Sequence, residues 1–398
     1  MYKWVKRVAL TLLTLGLLYG AGRFIHVYSD SFYDGERAPY IMMPAATAIT
    51  IRWQSEQAYR GLVRYGLKAD ELNNKLSQIR ADKKHELRLT GLQPATRYYY
   101  SIGSETETAY AGSDYWFMTT PEAGATLPVR FAVLGDPGYP NPVQNEVRDS
   151  LLEYLAEHSR ENLPYLDLLL TTGDNAYTSG SNDQFQSGFF LPYINILRNI
   201  PVWPVYGNHD ARRWVFYNIF TFPQQAESGG LASGTESYYS FDYANVHFVV
   251  LDSQNSDMSE GSEMLDWLRQ DLAMTRQGWR IVVLHHPPYT HGSHNSDTRS
   301  DSSGRMFRAR ENILPVLEQA DVDLVFSGHS HMYERSHLLH CHFGDSKSML
   351  DNMMLQKDSH DYHKATGVKP NQGTIYAVVG SSSKVDQGPL DHPAMAVS

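Results

Sequence analysis

Five short segments of the chain combine glycine or proline with residue types that bind metal ions or move protons. They are Gly135-Asp136-Pro137-Gly138, Gly173-Asp174-Asn175-Ala176-Tyr177, Gly207-Asn208-His209-Asp210, Leu284-His285-His286-Pro287 and Gly328-His329-Ser330-His331. Each one ends a hydrophobic run. Asp, Asn, His and Tyr gathered at strand ends can hold two metal ions, and a pair of adjacent ions is the arrangement that phosphoester hydrolysis uses. Singly, each segment is short enough to arise by chance. Jointly, they place every candidate donor just past the carboxyl end of a predicted strand, the edge where open α/β sheets carry their sites.

The elements that must position these residues are legible as runs and periods. Near-continuous apolar runs at 129–134, 166–172, 202–206, 247–251, 280–284, 322–326 and 374–379 read as strands buried on both faces. Helical patterns fall between them at 143–158, 262–276 and 310–319. Strands alternating with helices imply a layered α/β domain over residues 128–398. An irregular stretch at 338–373, rich in His, Met, Asp and Lys, has no period and reads as a surface insertion. Its His340, His342, His360 and His363 are at most an adventitious metal site.

Residues 36–120 are different in kind. Ile49, Ile51 and Trp53 share one face at period two, and 61–65 and 96–102 are similar short strands. Leu92-Gln-Pro-Ala-Thr-Arg-Tyr98 resembles the tyrosine corner of β-sandwich domains. An all-β sandwich without a site of its own is therefore expected, joined to the α/β domain by the Pro- and Gly-containing linker 120–128.

Composition narrows the partners. The net charge of −10 argues against a nucleic-acid polymer, whose binders carry a basic face. It is compatible with a small phosphorylated substrate, because bound cations dominate the local field. Lys3, Lys6 and Arg7 precede an apolar run at 8–21, the pattern of an export signal, so residues 1–30 are expected to be a cleaved signal peptide or a membrane anchor. Export to a periplasm, envelope or medium follows. Cys341 is the single cysteine, which excludes an intrachain disulfide framework. Oligomeric state is not readable.

The five segments resemble those of the calcineurin-like metallophosphoesterases, and in particular the purple acid phosphatase branch. Tyr177 stands three residues after Asp174, Gly328-His-Ser-His-Met-Tyr-Glu-Arg335 resembles that branch's signature, and the preceding sandwich resembles its fibronectin type III-like domain. The resemblance implies an α/β/β/α layered catalytic sandwich after that β domain, with further strands beyond residues 392–398. It also implies two metal ions, one held by Asp136, Tyr177 and His331 and the other by Asn208, His285 and His329, with Asp174 bridging. Phenolate and carboxylates suit a trivalent ion such as Fe(III), while two imidazoles and an amide oxygen suit a divalent ion such as Zn, Mn or Fe(II). The implied activity is metal-assisted hydrolysis of phosphate monoesters, with diester or nucleotide hydrolysis as the alternative. His209 matches the family's substrate-facing histidine. After His285 the sequence departs from the plant-type pattern, and either His294 or His291 is expected to face substrate. His286 is a supporting residue or exposed, and Asp210 either orients His209 or caps a helix.

Overall fold

The computed structural model describes residues 14, 16, 33–158, 164–357, 363, 369, 370 and 372–398. The segment read as a signal or anchor lies outside the described residues apart from Thr14 and Gly16, as does His360. Among the described residues, no helix is long and apolar enough to cross a membrane.

The amino-terminal strands are β1 (Arg37–Ala45), β2 (Ala48–Tyr59), β3 (Leu62–Gly66), β4 (Asn74–Ser77), β5 (Asp82–Thr90), β6 (Arg97–Gly103), β7 (Thr108–Tyr110) and β8 (Trp116–Met118). They form two sheets, β1-β2-β5 and β4-β3-β6-β7, with β8 paired to β6. Ile49, Ile51 and Trp53 point inward together, against Ile41, Val63, Tyr100, Ile102 and Phe117. The Tyr98 hydroxyl accepts the Gln93 N–H at 3.0 Å, so the predicted tyrosine corner is present.

The other face of β1 and β2 is buried as well, which alternation alone did not indicate. Tyr40 and Met42 join the core of the α/β domain. Arg52 donates to Thr221 Oγ1 and Asn218 O, both at 2.6 Å, and the Tyr100 hydroxyl donates to Arg198 O at 2.6 Å. The sandwich is thus docked through an outer face whose polar residues find hydrogen-bond partners on the neighbouring domain. Buried polar groups need such partners.

The α/β domain opens with β9 (Phe131–Leu134), β10 (Leu168–Thr171) and β11 (Val202–Trp203), a parallel sheet in the order β11-β10-β9. The remaining strands are β12 (Tyr239–Tyr243), β13 (Val246–Leu251), β14 (Trp279–Leu284), β15 (Leu324–Ser327), β16 (Tyr333–Ser336), β17 (Leu338–Leu339), β18 (Met354–Leu355), β19 (Ile375–Val379) and β20 (Met395–Val397). All except the β17–β18 ribbon belong to a sheet of order β12-β13-β14-β15-β19-β16-β20, parallel from β13 to β19.

The two sheets pack face to face. The Phe131 ring meets Phe248 and Phe326 across the gap, at centroid distances of 5.5 and 6.1 Å. Strand alternation then divides the residues of the larger sheet. Val246, Phe248 and Val250 of β13 face the smaller sheet. Val249 and Leu251 face a second core built with Leu265, Leu268 and Leu272 of the helix Glu263–Met274. On the far side of the small sheet lies the helix Pro142–Glu157, whose start is capped when the Asn141 side chain accepts Gln144 N. The result is the expected α/β/β/α layering.

Several elements escaped the sequence reading. The helical pieces Asn182–Phe185, Gln186–Phe190 and Ile194–Leu197 bury Phe185, Phe189, Phe190 and Tyr193 together, which leaves no polar stripe for a period to show. Helix Arg213–Ile219 and strand β12 are equally short and aromatic. The stretch read as a surface insertion is packed through its first part: β17 pairs with β18, Phe343, Met349 and Met354 rest on the second core, and His342 is buried.

Candidate metal centre

Three of the five segments begin one or two residues past a strand of the two sheets, a fourth begins on the last residue of β14, and three of the donors adopt an uncommon backbone. Asp136, Asp174 and His329 have φ of 54°, 53° and 67°, the left-handed region that side chains other than glycine rarely enter. Such backbone persists only where the surroundings enforce it, and it clusters at functional sites. Here it turns each donor sharply off the end of β9, β10 or β15. Glycine at two neighbouring positions lets the turns interlock. A Cβ on Gly207 would lie 2.2 Å from Asp174 N, and one on Gly328 would lie 2.2 Å from Asp136 Oδ2.

All seven predicted donors fall into one connected cluster. The Tyr177 hydroxyl is 3.3 Å from Asp136 Oδ1, 3.1 Å from Asp174 Oδ2 and 3.2 Å from His331 Nε2. His285 Nε2 lies 2.8 Å from Asn208 Oδ1 and 3.6 Å from Asp174 Oδ1. His329 donates its backbone N–H to Asp136 Oδ2 at 2.8 Å, and its ring is 5.0 Å from that of His285. Asp174 touches both halves.

The donor chemistry fits a cation pair. His285 Nδ1 bonds Thr172 O at 2.8 Å, which leaves the Nε2 lone pair facing the Asn208 amide oxygen. His331 is held in the same way by Asp386 Oδ2, 2.5 Å from its Nδ1, with Nε2 facing Tyr177 and Asp136. Burial and the charge of Asp174 push the Asp136 carboxyl well above the carboxylate range. Burial, followed by the charges of Asp136 and Asp174, pushes the Tyr177 phenol far above its usual value. Burial lowers His285 and His331, and burial with the neighbouring imidazoles lowers His329 further. Crowded anions that resist ionising, beside imidazoles that resist protonation, are what bound cations would relieve.

The residues around the donors sort differently. The His209 ring packs at a tilt against Tyr177 with centroids 4.4 Å apart, its Nδ1 2.8 Å from Thr178 O. His294 stacks on His329 at 4.0 Å and bonds Asp301 Oδ1 at 2.9 Å. His291 is not brought to this cluster: it turns to Asp391 Oδ1 at 2.8 Å and to Asp297 Oδ2 at 3.5 Å. Of the two candidates, only His294 is brought to the donor cluster. His291, Asp297 and His392 form a second group of potential ligands. There, however, His392 Nδ1 accepts the Ala394 N–H at 3.1 Å, so its neutral ring carries the proton on Nε2 and offers no lone pair. Arg310, 3.0 Å from Asp297, already supplies the positive charge.

Asp210 does not orient His209. Its buried carboxylate accepts Gly207 N at 2.9 Å, Asn175 N at 2.9 Å and Ala176 N at 3.2 Å, tying two donor loops together. His286 is buried, with its Nδ1 2.9 Å from Ser253 Oγ and its ring 4.6 Å from that of His329. Sequence reasoning missed Thr172, Ser302, Asp386 and Lys384. Ser302 Oγ is 2.6 Å from His329 Nε2, and the Lys384 ammonium stands 5.1 Å from the Tyr177 ring centroid. None of these four lies in a motif, so only tertiary contact reveals them.

Layered sheets with donors converging on one carboxyl edge define a metallophosphoesterase architecture. The calcineurin-like phosphoesterase family model matches residues 129–333, and the model of the purple acid phosphatase N-terminal domain matches residues 39–119. The chain belongs to the calcineurin-like phosphoesterases, on their purple acid phosphatase branch. It is similar to purple acid phosphatase 22 of Arabidopsis thaliana, with 32% identity over 266 residues, 64% of this chain and 54% of that one. It is also similar to purple acid phosphatase of Glycine max, with 27% identity over 262 residues, 63% of this chain and 52% of that one. The chain spans about half the length of the curated relatives it matches. Among solved structures, purple acid phosphatase PPD1 from yellow lupin seeds shares the fold, with a TM-score of 0.68 and 19% identity over 90% of this chain and 68% of that one. PhoD shares it with a TM-score of 0.55 and 16% identity, covering 87% of this chain and 77% of that one.

Proposed function

We propose that this protein hydrolyses phosphate monoesters at a dinuclear metal centre. The observation that carries the reading is the convergence of Asp136, Tyr177 and His331 on one side of Asp174, and of Asn208 and His285 on the other. Asp136, Tyr177 and His331 would hold one ion, suited to Fe(III). Asn208, His285 and His329 would hold a divalent ion, and Asp174 would bridge. Such a pair, when bound, supplies Lewis-acid polarisation of the phosphoryl oxygens and an activated water nucleophile. The chain's own residues supply the rest. His209 and His294, half-exposed beside the donors, would donate hydrogen bonds to the phosphoryl oxygens or a proton to the departing alkoxide. Asp386 and Thr172 hold His331 and His285 with Nε2 turned inward.

The substrate class is small phosphorylated molecules, which suits the relatives named purple acid phosphatase. Purified protein should release para-nitrophenolate from para-nitrophenyl phosphate in a chelator-sensitive manner, and more slowly from its bis-ester. Preference for the bis-ester would move the reading to a phosphodiesterase. Inactivity on both after metal reconstitution would sink it. We also propose, from the basic start and apolar run of residues 1–30, that the protein works outside the cytoplasm, released or membrane-attached. Fractionation of the native host should place it in the envelope or medium, and an intact full-length form in the cytosol would refute this.

A further inference from the structure

The loop after β19 is built into the metal centre. Gly135 N donates to Ser382 Oγ at 3.1 Å, and Ser382 N donates to Gly135 O at 3.1 Å. Tyr139 N donates to Ser383 Oγ at 3.2 Å, the Ser383 hydroxyl in turn donates to Asp136 O, and Asn141 Nδ2 donates to Ser383 O at 2.7 Å. Three residues on, Asp386 holds His331. Lys384 lies between these anchors, so its backbone is fixed relative to the donors while its four-carbon stem stays partly exposed. Its ammonium sits 5.1 Å from the Tyr177 ring centroid and feels the Asp386 carboxylate electrostatically, but forms no ion pair with it among the described residues.

We propose that Lys384 is a specificity-determining residue that holds the second negative charge of a phosphate monoester bound at this centre, an inference that rests on the phosphatase reading above. A monoester above the second phosphate pKa of about 6 carries two charges, whereas a diester carries one. A compact ammonium on a flexible stem can leave the ring face and meet the extra charge. The cation–π contact keeps it at hand without neutralising it. Contact with one partly exposed charge is worth about fivefold in affinity.

The test uses full-length, metal-loaded protein with Lys384→Gln and Lys384→Arg. Three quantities are measured: the ratio of kcat/KM for para-nitrophenyl phosphate over its bis-ester, the calorimetric Kd for inorganic phosphate, and the metal content. Lys384→Gln should lower the ratio about fivefold at pH 7, and by less at pH 5 where the monoester is a monoanion. It should weaken phosphate binding by a similar factor and leave the metal content unchanged, and Lys384→Arg should restore most of both losses. An equal fall on both esters, unchanged phosphate affinity, or loss of metal would overturn the proposal. If the wild type cleaves neither ester, the phosphatase reading fails, and the phosphate titration still decides the role of Lys384.

Discussion

Asp386 Oδ2 lies 2.5 Å from His331 Nδ1, although the two residues are 55 positions apart and on different loops. The hydrogen bond of His331 lowers the Asp386 carboxyl below its usual range. An ionised Asp386 therefore fixes the tautomer of His331 and turns Nε2 toward Tyr177 and Asp136. Carboxylate–histidine pairs of this kind tune a metal ligand from outside its coordination sphere. Asp386→Ala should weaken metal retention by about ten- to a hundredfold, measured by titration against a competing chelator. Asp386→Asn should cost less, because the amide oxygen still accepts. Wild-type retention in Asp386→Ala would show that His331 is not a ligand, or that packing alone orients it.

Asp174 and His209 are adjacent in space, since His209 N donates to Asp174 Oδ1 at 2.7 Å, yet their roles separate. Asp174 is the carboxylate that touches both halves of the donor set. Asp174→Asn should lose bound metal together with activity. His209 uses its ring to cover Tyr177 and bond Thr178 O, so His209→Ala should keep both metals while turnover falls about a hundredfold. Elemental analysis beside steady-state kinetics distinguishes the two. Equal metal loss in both variants would contradict the assignment.

Tyr177 makes the sharpest spectroscopic claim. Its phenol is hemmed in by two carboxylates and pushed far from ionisation by burial and their charge. Only a cation in that position would ionise it, and a phenolate on Fe(III) gives a visible charge-transfer band. Iron-loaded, oxidised protein should be pink to purple, and Tyr177→Phe should remove the colour while retaining metal on Asp136, Asp174 and His331. A colourless oxidised wild type would mean that Tyr177 is not a ligand or that the ion is not ferric.

What the sequence disclosed follows from locality. Each strand that leads toward a donor segment lies in a mainly apolar run, so its end, and the segment beyond it, can be read locally. Those segments carry the resemblance that implies the seven candidate donors, and the seven side chains lie together. Choosing between His291 and His294 needed the third dimension, because Gly292 and Ser293 bend the chain so that one ring meets His329 and the other meets Asp391. Thr172 acts through a backbone carbonyl, which no residue type signals. The docked face of the sandwich was illegible for a related reason. Arg52 and Thr50 look like solvent-facing residues until Thr221 and Asn218 are seen to accept from the two terminal nitrogens of Arg52.

Remote from the metal centre, His247 on β13 is buried between two carboxylates, with Asp242 Oδ1 2.8 Å from Nδ1 and Asp271 Oδ2 2.8 Å from Nε2. Asp271 also accepts Leu231 N at 2.8 Å and the Ser240 hydroxyl at 2.7 Å, so the imidazole is part of a closed polar network. Burial alone would lower the His247 pKa, but the two hydrogen-bonded carboxylates outweigh it and hold it up at about 9. A histidine whose pKa is higher folded than unfolded contributes stability in full below the unfolded value of about 6.5, and that contribution is lost as pH rises through the folded value. Denaturant unfolding should therefore show a loss of up to about 3 kcal/mol between pH 6.5 and pH 9.5, beyond the change caused by other groups. His247→Gln, which keeps two polar ends but cannot take up a proton, should be less stable at pH 6.5 and should flatten that part of the profile. The same slope in wild type and His247→Gln would show that His247 is neutral in the folded protein and that the two carboxylates are satisfied by their other donors.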